Sequence, residues 1–526
     1  MLQTGAVDNF QMINCIEKLS SRFPQASDAD WERKKLNILR IIFGCTKLIL
    51  WGHQFYSLTV LSELSIWPSA ETNFSLLGID LQASASATAI CGLMLALTAL
   101  YTLGVCTPVI GFLLVVSICG FDHFLFSSIM LPTQVSFLCL TYFLLLNAGS
   151  RFSLDALISK RYPKSLLGRF IKYLYSGIGN GGRRWITTLY FFWFLSYGLG
   201  CLGAAILHLY AEHWKDGSIV GLISTDPMFF RVGYELMSGF RDTFPQLFAI
   251  YSQTATYLQL GWELLMIPLV FFRGGRIFVI FQGLLFFLIA LGMYLKDLPI
   301  VELIMWTALF LRRDHTLWIG AFLRFPTPRN LTDQVSGNLT SLTLRKPISQ
   351  GVVYILTAYV LVYIAFLPFS RSFQIQTRKI RPLLQYAGID YPNVFNQRVR
   401  NLIYYNVIYR TNEDGSEQLA PFFTPDGKKM FYLTSNLLYF GHSRLKLFFS
   451  VYYDYKRKGI GDAVGYRYDT FVSSVLTGEC TKIGSGTITI HGKNINFQNV
   501  KGTDPRQLNI AGNLDFETLP ESVQTF

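Results

Sequence analysis

Charge is what this chain has least of. Only 15% of its 526 residues are Asp, Glu, Lys or Arg, where a soluble domain usually carries about 25%. Acids are scarcer than bases, 33 against 46, for a formal charge of +13. Cysteine is sparse and unpatterned. There are eight, none spaced CxxC, and only Cys480 falls beyond residue 372. That excludes zinc-ribbon spacing and a disulfide inside the C-terminal region. No GxxxxGK[ST] run is present, and the glycine cluster GIGNGG at 177–182 sits beside Arg183 without the strand-to-helix setting of a phosphate cradle. No GxSxG elbow appears either. Nucleotide and serine-hydrolase chemistry therefore find no support. The opening residues MLQTGAVDNFQMINCIEKLSSRF lack an apolar core segment, so no cleavable signal peptide is expected.

What is abundant is apolar. Hydrophobic residues make up 51% of the chain, 44 of them Phe, and the mean hydropathy is +0.33. A bilayer crossing needs about 20 such residues. Nine stretches qualify as expected spans: about 38–60, 87–105, 107–127, 130–149, 185–210, 247–271, 277–295, 298–311 and 351–369. The eighth is short and holds Glu302. The basic residues cluster beside these runs, which explains the positive charge better than nucleic-acid binding does. Residues 150–184 hold eight Lys or Arg against one acid, Asp155, whereas 61–86 hold no basic residue and three acids, Glu63, Glu71 and Asp80. All basic clusters fall on one side if all nine stretches cross. That side is the cytoplasm.

The expected fold class is thus an all-α polytopic membrane domain of about nine transmembrane helices with a C-terminal β-rich extracytoplasmic domain. Its parts are a cytoplasmic N-terminal segment (1–37), the transmembrane domain (38–311), a cytoplasmic or interfacial connection (312–350), a last transmembrane helix (351–371) and the β-rich region (372–526). The last carries Tyr-rich alternating runs such as NLIYYNVIYR and SGTITIHGKNINF, with turn signals at Asp414-Gly415 and His491-Gly492. A multi-pass location in a cell's inner or plasma membrane follows, with the N-terminus cytoplasmic and the C-terminal region periplasmic or extracellular. The bilayer is the expected partner and nucleic acid is not.

Ionisable groups inside a bilayer are costly, so they mark interior or functional positions. In the first stretch Arg40 is expected to reach the headgroups, while Lys47 lies deeper. HLYAEHWKDG at 208–217 is the densest polar cluster, and His208 and Glu212 are i,i+4 neighbours with His213 next. A His beside a carboxylate suits general-base work; a helix end with Trp214 as an interface anchor is the plainer alternative. No metal-ligand spacing accompanies it. Glu263 sits five residues before Pro268, and the expectation is either a partner, one of Arg273, Arg276 or Lys47, or a carboxyl protonated in place. The candidate catalytic residues are His208, Glu212, His213, Lys47 and Glu263. Ser153 and Asp155 read as helix-capping residues at a cytoplasmic edge.

Three stretches in order resemble the horizontally transferred transmembrane domain family, which includes vitamin K-dependent gamma-glutamyl carboxylase and bacterial membrane proteins linked to peptide maturation. LTALYTLGVCTP (97–108) looks like its Leu-Gly-x-x-Thr hairpin. SRFSLDAL (150–157) looks like its Ser-x-Asp-x-Leu turn. HWKDGSIV (213–220), with WELLMIPLVFFRGGR (262–276), looks like its Trp-x-x-Gly element and the helix after it. The resemblance implies modification or maturation of a secreted peptide or protein at the outer membrane face, and a quinone as a cofactor. The family's Lys base has no counterpart before Trp214, and its His before the Ser-x-Asp-x-Leu turn is replaced by Ser150 or Gly149. Neither side chain transfers protons as an amine or imidazole does, which argues against glutamate carboxylation itself. A non-catalytic scaffold or immunity protein is the alternative, and a permease a more distant one.

Overall fold

A computed structural model gives the architecture. It describes residues 19–63 (without 21 and 27), 84–126, 131–176, 182–225, 230, 233–292, 297–313 and 346–366. It also describes five strands between 402 and 502. The helices are α1 (Ala29–Glu63), α2 (Ser84–Leu103), α3 (Thr107–Phe126), α4 (Leu131–Leu145), α5 (Leu154–Arg161), α6 (Leu166–Ser176) and α7 (Arg183–His208). They continue as α8 (Glu212–Lys215), α9 (Ile219–Thr225), α10 (Tyr234–Thr243), α11 (Pro245–Leu269), α12 (Arg273–Ala290), α13 (Asp297–Phe310) and α14 (Lys346–Phe366).

The structure departs from the expected fold of nine transmembrane helices. Among the described residues, two helices are long and apolar enough to cross a membrane, α7 and α12, not nine. The apolar helical stretches at 89–103, 107–119, 133–145 and 351–364 are shorter. The physical reason is visible in α1 and α13. The first carries buried Glu32, Lys35, Arg40 and Lys47 along one helix, and the second has only 14 residues.

These two helices are held together by charge. Lys35 donates to the carbonyls of Ala308 (2.7 Å) and Leu311 (2.9 Å) and pairs with Glu32 at 2.6 Å. Lys47 donates to both Asp297 oxygens at 2.8 Å. The two lysines are about 18 Å apart along α1 at 1.5 Å rise per residue, close to the length of α13. One therefore meets the C-terminal carbonyls of α13 and the other its N-terminal acid. The Lys35 cation at the C-terminus and the Asp297 carboxylate at the N-terminus both suit the dipole of α13, and Lys47 neutralises that carboxylate. Tyr190 donates to Glu32 at 2.8 Å, tying α7 to the same corner.

A second junction joins the α2–α3 turn to α5 and α6. The turn needs positive φ at Gly104 (+75°), and a Cβ there would meet Ser153. Asp155 accepts from the amides of Cys106 (2.9 Å) and Thr107 (3.0 Å), capping α3 from outside its own helix. Tyr175 of α6 donates to the same carboxylate at 2.7 Å. Ser153 caps α5 through Ala156 N at 3.1 Å. Arg40 is fully buried and donates to the carbonyls of Tyr101, Thr102 and Phe152. It closes the C-terminus of α2 and does not reach outward to headgroups.

Aromatic rings fill the centre. Trp306 meets Phe287 (5.2 Å), Phe310 (5.0 Å) and Trp262 (6.0 Å), and Tyr142 stacks on Trp193 at 5.2 Å. Tyr197 donates to the buried Glu302 at 2.7 Å.

The strands are β1 (Leu402–Thr411), β2 (Glu417–Leu419), β3 (Val464–Ser474), β4 (Cys480–His491) and β5 (Asn494–Gly502). They form an antiparallel sheet in the order β2-β1-β3-β4-β5. Pairing of β4 with β5 runs up to His491↔Asn494. The expected turn signal Asp414-Gly415 lies outside the described residues, as does Gly492.

Candidate functional site: a buried imidazole–carboxylate pair

α7 and α11 pack closely because Gly198 leaves room for Ile267, whose side chain a Cβ would meet at 2.7 Å. On the same two helices His208, the last residue of α7, meets Glu263 of α11. Nδ1 of His208 lies 2.9 Å from Glu263 Oε2, and both residues are buried. The other carboxylate oxygen accepts from Gln259 Nε2 at 2.9 Å, one turn earlier on α11. Gln282 of α12 reaches Gln259 at 3.5 Å.

The indole of Trp214 covers the imidazole. The rings stack at 3.8 Å and 9°. The cover is positioned by the turn HWKDGS. Gly217 adopts φ +77°, and its carbonyl accepts from Ser252 and Thr256 of α11, each at 2.9 Å. Tyr257 donates to the Lys215 carbonyl at 2.7 Å. Three hydroxyls of one helix therefore hold the turn that presents Trp214.

Of the sequence-derived candidates, the structure brings His208 and Glu263 together. The partner of Glu263 is His208, not Lys47, Arg273 or Arg276. Lys47 is committed to Asp297 and lies over the rings of Phe43 and Trp51. Arg276 donates to the Val270 carbonyl at 3.0 Å. His213 contacts Ser218 Oγ at 3.1 Å and Asp216 at 3.6 Å within its own turn. Glu212 opens α8, and its side chain lies outside the described residues. Sequence reasoning missed Gln259 and the covering role of Trp214. A Gln four residues before a Glu in an apolar helix was the available signal for the first.

With Glu263 ionised, Nδ1–H donates to the carboxylate and Nε2 carries the lone pair, the tautomer a general base requires. The carboxylate then faces the positive charge that the ring acquires on taking a proton. Among the described residues, no group of three or more His, Cys, Asp or Glu is arranged to hold a metal ion. Comparison with known proteins gives no match to a family model, to a curated protein or to a solved structure.

Proposed function

We propose that this chain is a membrane-embedded protein whose His208–Glu263 pair is the proton-accepting centre of a modification reaction. The substrate class is a secreted peptide or protein, as the resemblance of the three motifs implies. The observation that carries the reading is the 2.9 Å His208–Glu263 contact beneath Trp214. An imidazole oriented by a buried carboxylate is an arrangement that general-base chemistry uses. Residues 185–214 contain no Lys, so an amine-based carboxylation does not fit this centre.

Membrane embedding is supported by surface chemistry. α12 buries Val279, Gly283, Phe287 and Ala290 and exposes Ile277, Phe281, Leu285 and Leu288 on its other side. A contiguous apolar face of that kind is rare in contact with water.

The test is complementation in cells lacking the native copy, with secreted peptides analysed by mass spectrometry. His208→Gln and Glu263→Gln are expected to reach normal membrane abundance, abolish the phenotype and leave a peptide mass unmodified. Wild-type behaviour from both variants at normal abundance refutes the reading. It would favour the non-catalytic scaffold, which one further observation suits: Lys47 and Arg40 are spent on internal contacts.

A further inference from the structure

The junction at Asp155 has a consequence for the adjacent surface. Residues 156–176 contain five cations, Lys160, Arg161, Lys164, Arg169 and Lys172, and no acid. All five are exposed. The acid just before them, Asp155, is buried and engaged by two amides and by Tyr175. Its charge is withdrawn from the surface that its sequence neighbours form.

The same segment is amphipathic in a particular way. α6 turns Gly168, Ile171 and Tyr175 inward, the glycine because a Cβ would meet the Tyr162 carbonyl at 2.1 Å. Outward it shows Leu166 (79% exposed), Phe170 (50%) and Tyr173 (75%). These stand at i, i+4 and i+7, one stripe of a helix. Arg169 and Lys172 flank the stripe. An aqueous surface has no use for this stripe, and a hydrocarbon core has no place for five cations.

We propose that α6 and the turn before it form a docking surface for anionic phospholipid headgroups, with Leu166, Phe170 and Tyr173 entering the acyl boundary beneath them. Charge complementarity selects this occupant. An acyl boundary accepts the apolar stripe, and phosphate-bearing headgroups answer the cations without a competing carboxylate. The inference rests on the membrane reading above but is independent of the His208 chemistry.

The experiment uses the full chain in nanodiscs of phosphatidylcholine alone or mixed with phosphatidylglycerol. Amide exchange is followed over residues 160–176. Exchange is expected to slow only in the anionic discs. Apparent affinity for spin-labelled phosphatidylglycerol should fall about fivefold for each cation removed in the series K164Q, R169Q and K172Q. High salt should reproduce the loss. These substitutions lie on an exposed face, so the fold survives them. Equal exchange in both discs, or lipid affinity unchanged by the triple variant, overturns the headgroup assignment while leaving the membrane reading standing. Release of the chain from native membranes by alkaline carbonate overturns both.

Discussion

At the scale of single residues, most buried charges among the described residues hold helices to one another. Lys47 is 1% exposed and bound by both oxygens of Asp297. Removing one partner of such a pair leaves a stranded charge and costs about 3–5 kcal/mol, whereas replacing both by apolar residues is often neutral. Lys47→Met is therefore expected to lower the melting temperature sharply in fluorescence-detected size exclusion, and the double variant with Asp297→Leu to restore most of the loss. A double variant no more stable than the single one would mean that the pair is not the stabilising unit. The sequence made Lys47 conspicuous as a charge in an apolar run but could not name its partner. Asp297 lies 250 positions away, and only the antiparallel packing of α1 on α13 brings them together. The same holds for His208 and Glu263, 55 positions apart. Each was legible as an unusual residue, and the pairing was not.

At the scale of elements, the α2–α3 turn, α5 and α6 behave as one joint around Asp155. Burial, and then the adjacent carboxylate, push the Tyr175 phenol up from its ordinary value. The folded protein thus holds the phenolic proton more tightly than the unfolded chain does. Its contribution is complete below about pH 10, the unfolded value, and is lost as pH rises through the folded one. Tyr175→Phe should cost about 1.5–3 kcal/mol near neutrality, the range for a hydrogen bond to a charged group. It should also flatten the alkaline limb of the stability profile, read as melting temperature against pH. An unchanged alkaline limb would place the titration elsewhere. Much of this joint was readable in advance, because Ser153 and Asp155 carry local capping signals. What was not readable is that Asp155 caps a helix 48 positions earlier in the chain. Helix lengths were the weaker reading. Apolar composition marks burial in protein and burial in lipid alike, so the 14 residues of α13, buried among other helices, read equally as a span.

At the scale of the whole molecule, the apolar exterior of α12 separates two solvents. In water, Phe281→Lys at a 66% exposed position would change stability by no more than about 0.5 kcal/mol. In a bilayer, a cation there costs about 2.5–3.5 kcal/mol on insertion scales. The expected outcome is a marked drop in the membrane-inserted fraction, measured by quantitative blotting after carbonate extraction. Wild-type insertion would contradict embedding of this face. The indole above His208 is moored by Ser252, Thr256 and Tyr257, all on the helix that also bears Glu263. The roof and the acid thus travel together, and the imidazole belongs to the other rail. If those two rails slide by a single turn, the ring loses its shelter and its carboxylate neighbour in the same stroke, so uncovering the imidazole and parting it from its acid are mechanically one event.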